Sequence, residues 1–209
     1  MIKHIKSIFK IINFFNFICS YRQILFKVIF YEIFYSIKMK ELVPKMKLQN
    51  NQYRTDTIPC VYYFLQEISK FLKENKINSV VDVGSGYGRI VNFLSKYNDI
   101  TAHGIEYDLE LHRSSFKTKG EKVKLYCGDI FKFDLEKFSS ICFILNDPFK
   151  KYESKKKFFE KFKKMYVTKD KYFIAINFYK VKFPNDFNKV FSIEGSSKKS
   201  LNIYKIKAR

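Results

Sequence analysis

The chain has 209 residues and a formal net charge of +20, from 40 Lys and Arg against 20 Asp and Glu. This length suits one α/β domain with a full core and a short extension, and it excludes two domains of ordinary size. Three histidines and four cysteines without a C-x-x-C pair predict no metal site and no disulfide framework. We expect small buried thiols in a reducing cytoplasm at Cys19, Cys60, Cys127 and Cys142.

The first 50 residues carry nine basic and two acidic residues among many large apolar ones. The uncharged run Ile11 to Tyr21 is shorter than the roughly 20 residues that cross a bilayer, and no small-residue cleavage site follows it. We predict that residues 1–40 form a basic, aromatic helix lying on the inner face of a membrane. The alternative is a helical extension that covers the domain or a partner subunit.

A domain boundary is predicted near Pro44 and the polar stretch 49–52, which gives an extension over 1–48 and a domain over 49–209. A helix is expected next, with Thr57 as its cap and Pro59 in its first turn. Its apolar face would be formed at helical spacing by Val61, Phe64, Leu65, Ile68 and Leu72.

The run from Val80 to Arg89 predicts a buried strand, a glycine-rich turn and a helix. Glycines at 84, 86 and 88 allow the backbone to approach a ligand at the N-terminus of that helix, as in nucleotide-binding loops. The dinucleotide fingerprint requires its third glycine at position 89, where this chain has Arg. The spacing therefore disfavours NAD.

This segment resembles motif I of the class I S-adenosylmethionine-dependent methyltransferases, a small bacterial form with a G-x-G-x-G-R loop. The resemblance implies an α/β fold with a doubly wound, seven-stranded, Rossmann-like sheet, and S-adenosylmethionine as cofactor. Glu106 ends a second strand, 24 residues beyond Asp82, where the family binds the ribose hydroxyls. A third strand from Val123 ends in Gly128-Asp129-Ile130, where the family's acid faces the adenine.

The implied cofactor-binding residues are Asp82, Gly84, Ser85, Gly86, Tyr87, Gly88, Glu106, Tyr107, Asp129, Ile130 and Asn146. Tyr53, Arg54 and Thr55 would belong to a segment that closes over the cofactor, or to an ordinary loop.

A fourth strand, Ile141 to Leu145, runs into Asn146-Asp147-Pro148-Phe149, which resembles the family's motif IV at the acceptor edge. We expect Asn146 to aim the acceptor and Phe149 to form an apolar wall. Position 147 is Asp where the enzymes that methylate planar amides have Pro, which disfavours such an acceptor. Asp147 is then a general base for a hydroxyl, a charge partner for a lysine ammonium, or simply the start of a loop.

Three further strands complete the predicted sheet. A lysine-rich amphipathic helix is expected over 150–164, followed by a strand over 172–178. Two last strands, over 190–194 and 201–206, would form a hairpin around Gly195-Ser196-Ser197 at the sheet edge.

The resemblance implies a cytoplasmic methyltransferase that acts on an O or N acceptor. Our first choice of acceptor is a small or lipid-linked sugar or surface-glycan precursor. A protein-lysine methyltransferase acting on a membrane protein is the second choice. A nucleic-acid enzyme comes third, because the basic residues are mostly Lys, whereas phosphate and guanine recognition favours Arg. The alternative from another class is a non-catalytic, membrane-associated scaffold that binds the cofactor.

Overall fold

The structure is a computed structural model that describes residues 12–41, 44–47, 57–117, 119–138, 142–165, 170–178 and 181–208. The predicted linker over 49–52 and the predicted closing segment Tyr53, Arg54 and Thr55 lie outside the described residues. The division of the chain at residue 48 therefore stays a prediction.

A seven-stranded sheet in the order β3-β2-β1-β4-β5-β7-β6 organises the fold. The first five strands in chain order pair in parallel, and β7 pairs antiparallel with β5 and β6. The predicted doubly wound sheet with its terminal hairpin is confirmed. The strands are β1 Ser79–Val83, β2 Thr101–Glu106, β3 Val123–Cys127, β4 Cys142–Asn146, β5 Lys171–Ile176, β6 Asn188–Ser196 and β7 Lys199–Ile206.

Helices cover both faces of the sheet. Residues 12–19 are helical and are called α1. The other α-helices are α2 Leu25–Met39, α3 Tyr62–Glu74, α4 Arg89–Asn98, α5 Leu109–Phe116 and α6 Tyr152–Lys164. Short 3-10 helices occupy Arg22–Ile24 and Leu135–Lys137.

The alternation of side chains along each strand divides the core into two layers. Val80 packs in the layer formed by α1 to α4, and its neighbour Val81 packs in the layer formed by α6. All the strands that meet in the middle of the sheet are buried on both faces, which is why their sequences are apolar runs.

Helix α3 begins later than predicted. Its first residue is Tyr62, and the residue before it, Val61, has an extended backbone and provides no side-chain cap. Thr57 instead pairs with Lys47 in an isolated antiparallel bridge. The cap comes from another helix, because Glu32 on α2 accepts a 2.6 Å hydrogen bond from the N–H of Tyr62. The predicted apolar face is confirmed, since its five residues are fully buried.

The segment between α1 and α2 packs in the hydrophobic core. Tyr21 is fully buried and packs edge-on against Phe64, with ring centroids 5.5 Å apart. A Cβ on Gly195 would lie 2.8 Å from Cδ1 of Tyr21, so this ring also fits against the β6–β7 hairpin. The inner sides of α1 and α2 therefore belong to the same core as the sheet.

Two smaller expectations are wrong. Cys127 is exposed and Cys19 is half-buried, whereas Cys60 and Cys142 are buried as expected. Cys127 ends β3 at the open edge of the sheet, where only one neighbouring strand covers it. The β6–β7 turn lies at Ser197 and Lys198, two residues beyond Gly195, because β6 continues to Ser196.

Candidate active site

A cavity of about 430 Å³ opens at the carboxyl ends of the parallel strands β1 to β4, where open α/β sheets bind ligands. The sequence-predicted residues that line it are Gly84, Ser85, Gly86, Tyr87, Glu106, Tyr107, Asp129, Ile130, Asn146 and Phe149. Asp82, Gly88 and Asp147 do not line it. The fold thus brings most of the predicted site together from four separate strand ends.

Three glycines with positive φ shape the loop between β1 and α4. The φ angles are 77° at Gly84, 54° at Gly86 and 80° at Gly88, a region that side chains with a Cβ rarely adopt. A Cβ on Gly84 would lie 2.6 Å from Cβ of Pro148, and one on Gly86 would lie 2.9 Å from Cγ2 of Thr57. The loop therefore requires glycine both for its conformation and for the close approach of two neighbouring segments.

Glu106 ends β2 and anchors this loop through its carboxylate. One oxygen accepts the N–H of Gly86 at 2.7 Å, and the other accepts the N–H of Asp108 at 2.8 Å. Burial raises the pKa of Glu106, and the N–H groups of Asp108 and Gly86 oppose that rise. Because each carboxylate oxygen has two lone pairs, Glu106 can still accept hydrogen bonds from a ligand in the cavity.

Asp82 is a fully buried carboxyl on β1, two residues before Gly84. Neither of its oxygens has a hydrogen-bond partner among the residues that the structure describes. Burial, together with the charge of Glu106, raises the pKa of Asp82 to about 8. A buried carboxyl of this kind calls for a partner from outside the protein, either a ligand group or an ordered water.

In the wild type, we expect Asp82 to make the free energy of unfolding fall as the pH rises. Replacing Asp82 with asparagine should remove this effect. Because the folded-state pKa is raised to about 8, the folded chain keeps a proton that the unfolded chain loses near pH 4. The contribution of Asp82 to stability is therefore greatest below the unfolded pKa and falls as the pH rises toward 8, by at most about 1.4 kcal/mol per pH unit. Urea denaturation at several pH values within this window measures the slope. Equal slopes in wild type and Asp82→Asn would contradict the assignment.

Asp129 and Ile130 follow β3 and line the cavity. Asp129 accepts the N–H of Phe131 at 3.0 Å, which fixes the turn after the strand. The ring of Phe131 stacks on Phe149 with centroids 5.7 Å apart. This pair forms the apolar wall that the sequence predicted from Phe149 alone.

The side chain of Asn146, at the end of β4, is held at both of its ends. Its Nδ2 donates to the carbonyl of Ile58 at 2.9 Å, and its Oδ1 accepts from Asn177 at 3.2 Å. Asn177 itself has a φ of 58° and directly follows β5, whose last residue, Ile176, pairs with Asn146. The amide therefore ties the segment before α3 to the strand ends, in addition to facing the cavity.

Asp147 turns away from the cavity toward α6. Its φ is 39°, and its Oδ1 lies 2.5 Å from Nζ of Lys155, which is nearly buried. Burial raises the pKa of Asp147, and Lys155 and Lys199 oppose that rise. The structure thus pairs this carboxylate with lysines of its own chain, and its predicted role as a general base stays a prediction.

A buried charge network links α2 to the cavity, and the sequence did not predict it. Arg89, the first residue of α4, lies 2.7 Å from Glu32 and 3.2 Å from Glu41, and it donates to the carbonyl of Cys60 at 2.8 Å. Its guanidinium stacks over the ring of Tyr62 at 3.8 Å. Burial alone lowers the pKa of Arg89, but Glu32, Tyr62 and Glu41 more than offset it and keep the group charged.

Other lining residues also escaped the sequence analysis. They come from the end of α2 and from the segment before α3, and are Glu41, Lys45, Thr57, Ile58, Pro59 and Cys60. Glu41 could have been singled out from the sequence, because it is one of only two acids among the first 50 residues. The others carry no pattern that distinguishes a lining residue from a loop residue.

Several solved structures with similar folds are named as methyltransferases. A putative methyltransferase YhhF from Escherichia coli aligns over 73% of this chain and 88% of its own, with 12% identity and a TM-score of 0.58. A putative caffeoyl-CoA O-methyltransferase from Staphylococcus aureus aligns over 72% and 86%, with 14% identity and a TM-score of 0.55. The chain has the class I methyltransferase fold.

An RNA methyltransferase from Salinibacter ruber, solved with S-adenosyl-L-homocysteine, aligns over 73% of this chain and 95% of its own, with 18% identity and a TM-score of 0.51. A mutant of MtNAS gives a TM-score of 0.54 and 13% identity, and this chain spans 62% of its length. The sequence matches no family model and no curated protein. Identities this low establish the fold and leave the activity to be argued from the site.

Within the described residues, no helix has the length and apolar character needed to cross a membrane. The same part of the chain contains no group of three or more His, Cys, Asp and Glu side chains suited to a metal ion.

Proposed function

We propose that this protein is an S-adenosylmethionine-dependent methyltransferase. The observation that carries the proposal is the convergence, around one cavity, of a positive-φ glycine loop, an acid ending β2 and an acid following β3. A dinucleotide site would share the loop and the first acid, but position 89 is Arg rather than the third glycine. Two matching acids at separate strand ends favour the methyltransferase pattern over a structural turn.

The residues of the cavity fit this cofactor. Glu106 would accept hydrogen bonds from the ribose hydroxyls, and Asp129 with Ile130 would hold the adenine. The glycine loop would cradle the amino-acid part, beside the buried and unpartnered carboxyl of Asp82. When bound, S-adenosylmethionine would supply a methyl group on a positively charged sulfur, which the lone pair of an acceptor atom displaces.

The protein's own contribution is then to position the acceptor and exclude water. We propose that Asn146 and Phe149 do this, because both line the cavity and Asn146 is held rigidly by Ile58 and Asn177. Asp147 lies outside the lining, so its proposed role is to fix the end of β4 through Lys155.

We propose a small or lipid-linked sugar, or another surface-glycan precursor, as the acceptor. Two properties of the chain support this class. The stacked rings of Phe131 and Phe149 offer a flat wall suited to the C–H face of a sugar. A net charge of +20 attracts acidic or phosphorylated acceptors. Incubating the enzyme and radiolabelled cofactor with lipid, glycan, protein and RNA fractions tests this choice, and label that enters only protein or RNA would overturn it.

Replacing Glu106 with alanine is expected to weaken the binding of S-adenosylhomocysteine by about 1 to 3 kcal/mol. The change removes the ribose acceptor and also releases the N–H groups of Gly86 and Asp108 that Glu106 holds. Isothermal titration calorimetry measures the loss. Glu136→Ala, which removes an acid remote from the cavity lining, serves as the control. Equal affinities for Glu106→Ala and the control would contradict the assignment of Glu106.

A further inference from the structure

The outward side of α1 and α2 carries an apolar face that no described part of the chain covers. Of the twelve large hydrophobic side chains exposed among the described residues, seven lie on these two helices. The exposed fraction reaches 87% at Phe26 and 65% at Ile37. The apolar face consists of Ile12, Phe15, Phe26, Phe30, Ile33, Phe34 and Ile37.

The face on α2 is continuous and separate from the side that packs on the domain. Its members at 26, 30, 33, 34 and 37 follow helical spacing, while the opposite side buries Val28, Glu32 and Tyr35. The inner side of α2 therefore makes the contacts with the rest of the domain, and the outer side is not needed for them. Single exposed hydrophobic residues need no explanation, but a stripe of this length marks an interaction surface.

The charges around the apolar face all have one sign. The two acids of residues 1–41, Glu32 and Glu41, both turn inward to Arg89. The bases beside the face are exposed, and Lys38 lies over the ring of Phe34 at 4.0 Å. These exposed bases are Arg22, Lys27, Lys38 and Lys40. Within residues 12–41, which the structure describes, the exposed charges beside the apolar stripe are therefore all cationic.

We propose that this face docks the protein on an anionic lipid surface, with the aromatic side chains inserted among the lipids and the lysines at the headgroups. A cationic border and an apolar stripe are what such a surface binds. A second copy of the chain fits less well, because a two-fold contact through this face would bring together two surfaces that both carry Lys27 and Lys38, in a protein of net charge +20.

Docking on this face would place the cavity close to the lipid surface. Helix α2 ends at Met39, and two residues that follow it in the chain, Glu41 and Lys45, line the cavity. A lipid-linked acceptor would then reach the site without leaving the membrane. This consequence rests on the proposed function, whereas the docking itself rests only on the face.

Sedimentation with vesicles tests the docking. The full chain is expected to sediment with vesicles of phosphatidylcholine and phosphatidylglycerol and much less with phosphatidylcholine alone. The triple variant Phe26→Ala, Phe30→Ala, Ile33→Ala should bind the anionic vesicles at least about tenfold more weakly, because three inserted side chains are lost. Lys27→Gln with Lys38→Gln should weaken binding mainly at low salt, where charge attraction is least screened. Phe116→Ala, which removes an exposed ring on α5, is the matched control and should bind like wild type.

Three results would overturn the proposal. The first is that the wild-type protein does not sediment with anionic vesicles. The second is that the triple variant binds these vesicles as well as Phe116→Ala does. The third is that light scattering shows a dimer for the wild type and a monomer for the triple variant. Calorimetry with S-adenosylhomocysteine on the same samples tests cofactor binding separately. A failure of membrane docking can thus be distinguished from a failure of the proposed function. Thermal unfolding of each variant shows that the surface changes leave the fold intact.

Discussion

Replacing Gly86 with valine is expected to reduce the affinity for S-adenosylhomocysteine at least about 100-fold, which corresponds to about 2.7 kcal/mol. The φ of Gly86 is 54°, a conformation that a β-branched residue resists. Its new Cβ would lie 2.9 Å from Cγ2 of Thr57, and its methyl groups would occupy the cavity beside Glu106. The loop would have to move away from both, and the N–H that Glu106 accepts would move with it. Calorimetry measures the affinity.

Gly120→Ala is the matched control for this change. A Cβ on Gly120 meets its nearest atom at 3.7 Å, an ordinary contact, and its backbone is outside the left-handed region. We expect this variant to bind like wild type, and circular dichroism to remain native for both. Loss of the native spectrum in Gly86→Val alone would show that the glycine serves folding rather than the ligand.

Replacing Glu32 with alanine is expected to lower the free energy of unfolding by about 3 to 5 kcal/mol, the usual cost of removing one partner of a buried ion pair. Glu32 lies 2.7 Å from Arg89 and accepts the N–H of Tyr62 at 2.6 Å. The side chains of Glu32 and Arg89 are only 4% and 6% exposed, so water cannot replace the lost partner. Urea denaturation measures the loss. Glu32→Gln should lose less, because its amide oxygen can still accept from Tyr62.

Glu67→Ala is the control for the charge pair. It removes the partner of Lys70, whose side chain is 51% exposed, and should cost no more than about 1 kcal/mol. If Glu32→Ala and Glu67→Ala lower stability equally, α2 is not anchored to the domain through Arg89. The contacts of Tyr21 would then be its main attachment.

The sequence predicted the elements whose signal is local. The central parallel strands β1 and β4 are largely apolar runs, and the carboxyl ends of neighbouring parallel strands meet at one edge. This rule is sufficient to bring Glu106 and Asp129 to the loop at Gly86, as the structure confirms. The glycine spacing predicted the tight loop between β1 and α4, because positive φ leaves few other residues at those positions.

Contacts between distant segments were not predictable in the same way. Thr57 and Pro59 have the residue types of a helix start, yet α3 is capped by Glu32, which lies 30 residues earlier in the chain. The same applies to Asp147, whose lysine partner on α6 becomes apparent only when the helix is packed on the sheet. Both acids were visible in the sequence, but their partners depend on tertiary packing.

The two interpretations of residues 1–40 turned out to be compatible. The inner side of α1 and α2 covers the domain through Tyr21 and Glu32, as in the helical-extension alternative. The outer side retains the exposed aromatic stripe on which the membrane prediction depends. Composition alone could not assign the apolar residues to one side or the other, because Phe and Ile occur on both sides.

The binding of S-adenosylhomocysteine to the purified full chain tests the central claim most directly. Calorimetry should show one site with a dissociation constant in the micromolar range or tighter, and a parallel titration with NADH should show no binding. This result would follow from a glycine loop that lacks the third dinucleotide glycine and from two acids, Glu106 and Asp129, that line the same cavity. Binding of NADH without S-adenosylhomocysteine, or of neither, would contradict the account.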